Sequence, residues 1–200
     1  YLVSNSPEEI GKLDYLICAT KTYDIESSFE SIRSCISLNT IILPLYNGVD
    51  ASPRIQAMFP NNLVLQGCVY IVSMIVSPGV IRKLGPFEKL FFGSKTAPIA
   101  KLNALQSILE NAGIESYLVD AIEETVWEKF IFISSLASAS SYLNQNIGAI
   151  LKDPANKEVY VALLNEITAV ALAKGLALPE DIVAQTIAKL MGYTFEAKQP

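Results

Sequence analysis

A compact apolar run, Asp14-Tyr-Leu-Ile-Cys-Ala-Thr20, is bounded by polar residues, and this pattern predicts a buried β-strand. Asp24 then has the position of a helix cap, and the apolar residues after it recur at helical spacing: Ile25, Phe29, Ile32 and Ile36. A second apolar run over residues 40–46 predicts another strand, weakened by Pro44, and a short helix is expected at about 51–59. Strand, helix, strand and helix in this order predict βαβ units and a parallel sheet.

Two polar side chains follow these strands directly. Lys21 comes after the first and Asn47, in an Asn-Gly pair, after the second. The carboxyl ends of parallel strands meet at one rim of a sheet, where ligands bind. We therefore expect Lys21 and Asn47 on the same rim. Taken singly, Lys21 is as easily a solvated loop lysine, and Asn47-Gly48 an ordinary turn.

The pattern changes between residues 62 and 92. Short strands are predicted at 64–65, 69–76, 80–81 and 90–92, with a hairpin turn at Ser77-Pro78-Gly79. We expect these strands to extend the first sheet. A helix is predicted over 97–112, with Gly113 ending it and an edge strand at 114–119. Its apolar face consists of Ile99, Leu102, Leu105, Ile108 and Leu109.

Every signal after Asp120 is helical, so we place a domain boundary between residues 119 and 120. Asp120 with Glu123 is a variant of the capping box, and the helix it starts is expected to reach about Asn146. Asp153-Pro154 predicts the start of a further helix, with Val159, Leu163, Ile167 and Val170 on its apolar face.

Lys129 lies in an apolar stretch, Val126 to Ile133, of this first helix. Its neighbours at helical spacing are apolar apart from one threonine: Ile122, Thr125, Val126, Phe132, Ile133 and Leu136. Burial lowers the pKa of a lysine from its usual value of about 10.4 and eases proton donation near neutral pH. The alternative interpretation is a lysine whose stem is buried while its amine stays in water.

Composition excludes several classes of site. The chain has 200 residues, a net charge of −5 and no basic run, which argues against nucleic-acid binding. It contains no histidine, so Ser-His-Asp and Cys-His nucleophiles and imidazole-dependent zinc sites are excluded within it. No apolar run is long enough to cross a membrane. Cys18, Cys35 and Cys68 are few, odd in number and widely spaced, which predicts reduced, mostly buried cysteines of a cytoplasmic protein.

Four segments in order resemble the ketopantoate reductase family. They are DYLICATKTYD at 14–24, LYNG at 45–48, LQG at 65–67 and W-x-K at 127–129. The resemblance implies an α/β fold, with part of a Rossmann-like, mostly parallel sheet domain at 1–119 and an all-α domain at 120–200. Members of the family begin with a G-x-G-x-x-G loop that this chain lacks, and they continue further at the carboxyl end. The resemblance therefore implies a fragment that would be inactive alone.

The resemblance also implies roles for three residues. Lys129 matches the lysine that protonates the substrate oxygen, and Asn47 matches the asparagine beside nicotinamide and substrate. Lys21 matches a lysine that contacts the cofactor. The implied reaction is reduction of a 2-keto acid by NADPH, with no metal, no nucleic acid and no membrane partner, and with a homodimer left open.

The chain departs from the family where substrate asparagines are expected. Four and eight residues after Lys129 it carries Ile133 and Ala137, whose side chains cannot hydrogen-bond a substrate. Ser134, Ser135, Ser138 and Asn144 are the polar alternatives nearby. A related hydroxyacid or imine reductase is therefore an open alternative. A second alternative, a non-catalytic module that packs against a partner or a second copy, is suggested by the absent G-x-G-x-x-G loop and the high apolar content.

Overall fold

The computed structural model describes residues 3–196, apart from the side chains of 86, 87 and 192–196. The chain divides into two compact units, residues 1–122 and 123–200. The first unit contains strands and helices in alternation, and the second contains helices. This confirms the predicted fold class, an α/β region with parallel strands followed by a helical region.

The first unit begins with a parallel three-stranded sheet in the order β1-β2-β3. Its elements are β1 (Leu13–Cys18), α1 (Ile25–Ser31), β2 (Ile36–Pro44), α2 (Ala51–Met58) and β3 (Leu63–Val64). The predicted βαβ order is therefore confirmed, and Pro44 is accommodated because it is the last residue of its strand. Asp24 is the N-cap residue of α1, as predicted, although its side chain makes no cap hydrogen bond. One detail of the prediction was wrong, because Ile36 starts β2 instead of ending α1.

The central strand, β2, is buried on both of its faces. Ile42 packs on one side with residues of both helices, including Ile25, Phe29 and Ile55. Ile41 and Leu43 point to the opposite side, into a second cluster. A parallel strand covered on both faces needs an uninterrupted apolar run, which explains the sequence Ile41-Ile42-Leu43.

The remaining strands of this unit form a separate sheet, which corrects the expectation that they extend the first. Its order is β4-β5-β6, with β4 (Gln66–Ser77) antiparallel to β5 (Val80–Gly93) and β5 parallel to β6 (Ser116–Leu118). The strand predicted at 64–65 corresponds to β3, which does extend the first sheet, whereas the strands predicted at 69–76, 80–81 and 90–92 form one long hairpin. A register shift after Ile71 and Gly85 at φ +71° interrupt this hairpin.

The second sheet, helix α3 (Ile99–Asn111) and the first sheet share one core. This core contains Ile41, Leu43, Leu65, Leu90, Phe92, Leu102, Leu105 and Leu109. Two residues of the predicted α3 face, Ile99 and Ile108, are instead exposed. Gly93 ends β5 where a Cβ would lie 2.3 Å from the carbonyl oxygen of Val119, so only glycine fits there.

The second unit consists of α4 (Ile122–Leu143, whose first residue belongs to the first unit), α5 (Ile147–Ile150), α6 (Pro154–Ala173) and α7 (Ile182–Glu196). Helix α4 starts two residues after Asp120, so Ala121 and not Asp120 holds the position before the helix. Asp153 caps α6 as predicted, because its Oδ1 accepts a hydrogen bond from the amide of Asn156 at 3.0 Å.

The buried face of α6 lies one residue further along than the sequence predicts. It consists of Tyr160, Leu164, Thr168 and Ala171. The predicted residues, Val159, Leu163, Ile167 and Val170, flank this face or are exposed. The prediction was wrong because it considered only apolar residues, whereas two residues of the buried face, Tyr160 and Thr168, carry hydroxyl groups.

Candidate functional site

The rim at the carboxyl ends of β1 and β2 is held together by hydrogen bonds. Cys18 and Pro44, the last residues of the two strands, are partners in the parallel register. The amide of Leu45 donates to the carbonyl oxygen of Cys18 at 2.8 Å, which continues the pairing past the strand ends. Beyond that point, the hydroxyl of Thr22 donates to the carbonyl oxygen of Asn47 at 3.3 Å. The two segments that follow the strands are therefore adjacent.

Thr20 and Tyr46 form a second link across the same rim. Their hydroxyl oxygens are 3.0 Å apart, and Tyr46 is buried. Burial raises the pKa of the Tyr46 phenol, while the hydrogen bond with Thr20 lowers it. Sequence reasoning did not select either residue. The available signal was their position, since each directly precedes one of the predicted site residues.

Lys21 and Asn47 are both exposed on this rim, as the sequence predicts. Gly48 follows Asn47 at φ +111°, a conformation that favours glycine, and this turn directs the chain toward α2. An exposed cation and an exposed amide beside the ends of parallel strands fit the needs of an anionic nucleotide. Either can reach a ligand without displacing a core residue.

Cys18, the last residue of β1, lies just below the rim. It is buried, and desolvation raises the pKa of its thiol to about 12. All three cysteines are buried with free thiols, so the prediction of reduced, buried cysteines is confirmed. A thiol that stays protonated at neutral pH is neither a nucleophile nor a metal ligand.

Lys129 lies in the second unit on α4 and is 7% exposed. The helix is favoured here because residues 122–143 contain neither glycine nor proline, and Glu123 and Glu124 occupy its first turn. Next to the lysine, Trp127 is buried and packs edge-on against Phe130, with ring centroids 5.6 Å apart. The structure thus favours the buried interpretation of Lys129 over a stem-buried lysine with its amine in water.

The most deeply buried stripe of α4 is not the one that Lys129 occupies. Trp127, Ile131, Ser135 and Ala139 follow each other at four-residue spacing and are all buried. The predicted neighbours of Lys129, apart from buried Ile122, are half-buried. When a helix is apolar on most of its surface, the spacing of its apolar residues does not identify which face is buried.

The serines near Lys129 do not take over the expected asparagine positions. Ser134 and Ser135 lie about 140° and 120° around the helix axis from Lys129. Ser138 is exposed, as is Asn144. On the lysine's side of the helix, Thr125 lies four residues before it and Ile133 four residues after it.

Gln66, at the start of β4, lines a separate pocket in the first unit. The pocket has a volume of about 160 Å³ and is bounded by Val64, Gln66, Ser94, Lys95, Thr96 and Ile122. The Oε1 atom of Gln66 is buried without a hydrogen-bond partner. Lys21 and Asn47 do not contribute to this pocket.

Residues 3–196 contain no group of three or more Cys, Asp or Glu side chains arranged to hold a metal ion. No helix in that range has the length and apolar character required to cross a membrane.

Two models of one family match the chain. The model described as ketopantoate reductase PanE/ApbA matches residues 2–96, and its carboxyl-terminal counterpart matches residues 121–199. Among curated relatives, an uncharacterized oxidoreductase of Bacillus subtilis, YkpB, is 24% identical over 202 residues, covering 98% of this chain and 67% of the relative. A 2-dehydropantoate 2-reductase of Halobacterium salinarum is 24% identical over 182 residues, covering 90% and 59%.

Solved structures give the same result. The 2-dehydropantoate 2-reductase of Porphyromonas gingivalis W83 is 34% identical, with a TM-score of 0.83, and the match covers 92% of this chain and 64% of that one. At lower identity, two structures share the fold. They are a dimeric ketopantoate reductase of Staphylococcus aureus (21% identical, TM-score 0.76, 89% and 64% covered) and a D-mandelate dehydrogenase with NADH and anilino(oxo)acetate (20% identical, TM-score 0.79, 88% and 57% covered).

The chain spans about three fifths to two thirds of the length of these proteins. Within that length, the family models match its strand-rich and its helical part, in the order that the family has them. The chain therefore belongs to the ketopantoate reductase family.

Proposed function

We propose that the protein reduces a 2-keto acid with NADPH, and that 2-dehydropantoate, reduced to pantoate in pantothenate biosynthesis, is the first substrate to test. The observation that carries this proposal is the burial of Lys129 on α4, since only 7% of this cationic residue reaches water. Burying an ammonium costs free energy, and such a group is retained where its charge or its proton is used.

Lys129 acts as the general acid in this proposal. Reduction of the ketone carbon leaves negative charge on the oxygen, and an ammonium held beside that oxygen stabilises the charge and then donates its proton. The product is the 2-hydroxy acid, and the deprotonated amine regains its proton from solvent. Both steps use the Nζ atom of Lys129.

Lys21 and Asn47 bind the cofactor at the rim of the first sheet, and Asn47 also contacts the substrate. NADPH, when bound, supplies the hydride. The exposed ammonium of Lys21 pairs with an anionic group of the nucleotide, and the Asn47 amide orients the reacting groups. We accordingly assign cofactor binding to the first unit and substrate protonation to the second. The buried free thiols support a cytoplasmic location.

The test uses the full-length protein. NADPH oxidation is followed with 2-dehydropantoate for the wild type and for Lys129→Ala. Turnover that collapses in the variant, with NADPH binding retained, supports both the reaction and the general acid. Wild-type protein that binds no nicotinamide cofactor would overturn the proposal in favour of a non-catalytic module.

A related 2-keto acid reductase is the second candidate, and Ile133 favours it. An isoleucine one turn after Lys129 offers an apolar contact where an amide would bind a hydroxyl or carboxylate. The similar fold of a D-mandelate dehydrogenase that holds NADH is compatible with such a change in substrate. A panel of 2-keto acids with apolar side chains, each tested with NADPH and NADH, separates the two candidates.

A further inference from the structure

The two segments that carry Lys21 and Asn47 are joined by two side-chain hydrogen bonds. The hydroxyl oxygens of Thr20 and Tyr46 are 3.0 Å apart, and the hydroxyl of Thr22 donates to the carbonyl oxygen of Asn47 at 3.3 Å. We name these two hydrogen bonds the rim bridge. Both threonines are direct neighbours of Lys21, and their partners are Asn47 and the residue before it. The rim bridge therefore joins the segments at the positions of the assigned cofactor residues.

The backbone of Lys21 explains how both of its neighbours reach the other segment. Its φ of −83° and ψ of 148° are extended. In extended backbone, successive side chains point to opposite sides. Thr20 and Thr22 therefore face the Asn47 segment, whereas Lys21 is directed away from it and is exposed. The sequence Thr-Lys-Thr thus holds the segment in place and leaves the ammonium accessible to a ligand.

Tyr46 is the anchored end of the rim bridge. Its side chain is 5% exposed and belongs to a core cluster with Ile25 and Phe29 of α1. A buried phenol that lacks a hydrogen-bond partner is destabilising, so the contact with Thr20 is favoured. Because packing fixes the ring, this hydrogen bond also fixes the position of Thr20 and of Lys21 next to it.

Two further contacts support the same arrangement. The backbone pairing of β1 and β2 continues to the amide of Leu45, which donates to the carbonyl oxygen of Cys18 at 2.8 Å. Side chains of the rim bridge join the segments past this point. From α1, the hydroxyl of Ser28 donates to the Oγ1 atom of Thr20 at 3.4 Å. Thr20 is therefore held both by α1 and by the segment after β2.

Fixed spacing between the two segments matters for a ligand that contacts both of them. In the proposed function, the ammonium of Lys21 pairs with an anionic group of the nucleotide and the amide of Asn47 orients its reacting part. Two loops that are ordered before binding do not lose conformational entropy when the ligand arrives. Misplacing a reacting group by about 1 Å can cost about 100-fold in rate. The spacing of Lys21 and Asn47 thus affects both affinity and rate.

We infer that Thr20 and Tyr46 are positioning residues of the cofactor site, whose hydroxyl pair holds the Lys21 and Asn47 segments at the spacing that a nicotinamide nucleotide requires. Neither residue contacts the cofactor in this inference, since both act through their neighbours. The inference rests on the cofactor-binding roles proposed above for Lys21 and Asn47. It adds two residues that are absent from that proposal.

The first test measures NADPH binding and a single turnover in the full-length protein. Tyr46→Phe and Thr20→Val each remove one hydroxyl and keep the shape of the side chain. We expect each to raise the NADPH dissociation constant about fivefold to tenfold and to slow the single turnover about tenfold. The double variant should be no worse than either single variant, because both changes break the same hydrogen bond. Thr20→Ser keeps the hydroxyl and should behave like the wild type.

Thr40→Val is the matched control, since it breaks a similar link at the opposite end of the same two strands. The hydroxyl of Thr40 donates to the carbonyl oxygen of Leu13 at 2.6 Å and accepts from the amide of Ser37 at 2.9 Å. This variant should lower the urea midpoint at least as much as Tyr46→Phe, because it loses two hydrogen bonds. Its NADPH dissociation constant should nevertheless stay within about twofold of wild type. If the rim bridge had a merely structural role, affinity would instead fall with stability in all the variants.

Hydrogen exchange of the cofactor-free protein separates this inference from the proposed function. Amides of residues 19–23 and 45–48 should exchange about tenfold faster in Tyr46→Phe than in the wild type, and at the wild-type rate in Thr40→Val. A wild type that binds no NADPH would overturn the proposed function and the cofactor named here, whereas faster exchange would still show that the bridge holds the segments. Unchanged exchange in Tyr46→Phe, or an unchanged NADPH dissociation constant in both Tyr46→Phe and Thr20→Val, would overturn the inference.

Discussion

Replacing Lys129 with methionine should abolish most turnover while leaving cofactor binding intact. Methionine is of similar length and apolar, so it can fill the space of a side chain that is 7% exposed without leaving a cavity. What the variant loses is the ammonium and its proton. General acids contribute about 10²–10⁴-fold to rate, equivalent to about 3–5 kcal/mol of barrier. Because little water reaches this position to act as substitute donor, we expect a decrease in kcat of about 10³-fold.

The location of Lys129 in the second unit sharpens this prediction. The groups assigned to the cofactor, Lys21 and Asn47, belong to the first unit. The NADPH dissociation constant of Lys129→Met, measured by fluorescence titration of the full-length protein, should therefore stay within about twofold of wild type, a difference of less than 0.5 kcal/mol. Stopped-flow measurement of a single turnover then isolates the chemical step.

Lys21→Met is the comparison variant, and its expected behaviour is the reverse. Losing a charge-assisted contact at an exposed position should raise the NADPH dissociation constant about tenfold and change the single-turnover rate little. A kcat for Lys129→Met within tenfold of wild type would refute the general-acid assignment. Loss of NADPH binding in the same variant would refute the division of roles between the two units.

Substitutions at three further positions and one labelling experiment test separate parts of the structure. Ile133→Asn should raise kcat/KM for 2-dehydropantoate relative to 2-keto acids with apolar side chains, because it adds an amide one turn from the catalytic lysine; an unchanged ratio in a steady-state assay would contradict this. Gly93→Ala should lower the free energy of unfolding by about 3 kcal/mol or more in urea denaturation, since its Cβ would lie 2.3 Å from the carbonyl oxygen of Val119. Asp153→Ala should cost about 1 kcal/mol in the same experiment and Asp153→Asn much less, because only alanine removes the cap of α6. Cys18, with a thiol pKa of about 12, should resist N-ethylmaleimide at pH 8 in the native protein and react in urea, as peptide mass spectrometry can show.

The parallel sheet was predictable because its strands are covered on both faces. A strand such as β2 must then consist of consecutive apolar residues, and such a run can be recognised in a single sequence. The same rule places Lys21 and Asn47, because residues directly after parallel strands share a rim whatever the loops contain. The hairpin was harder to predict. Gly85 and Pro86 interrupt the pattern of β5 as a strand end would, whereas the structure runs through them with a register shift.

The burial of Lys129 was suggested by the sequence but not determined by it. Helical spacing put the lysine among apolar residues, yet α4 is apolar on most sides and its deepest stripe passes through Trp127 and Ile131. Periodicity shows on which side of the helix a side chain lies, whereas its burial depends on which other elements pack against that side. For the same reason the face of α6 was predicted one residue away from its actual position, at Tyr160.

The passage from β3 to β4 has a mechanical consequence. Leu65 is the only residue between the two strands, it is fully buried, and its amide donates to Ile42 of the first sheet at 2.8 Å. Because Leu65 alone connects the two sheets, a displacement of the β4–β5 hairpin is transmitted through it to β2, the strand that leads to Asn47. The Leu65 amide can exchange with deuterium only when this junction opens. Its exchange rate therefore measures how far the first unit behaves as one cooperative body.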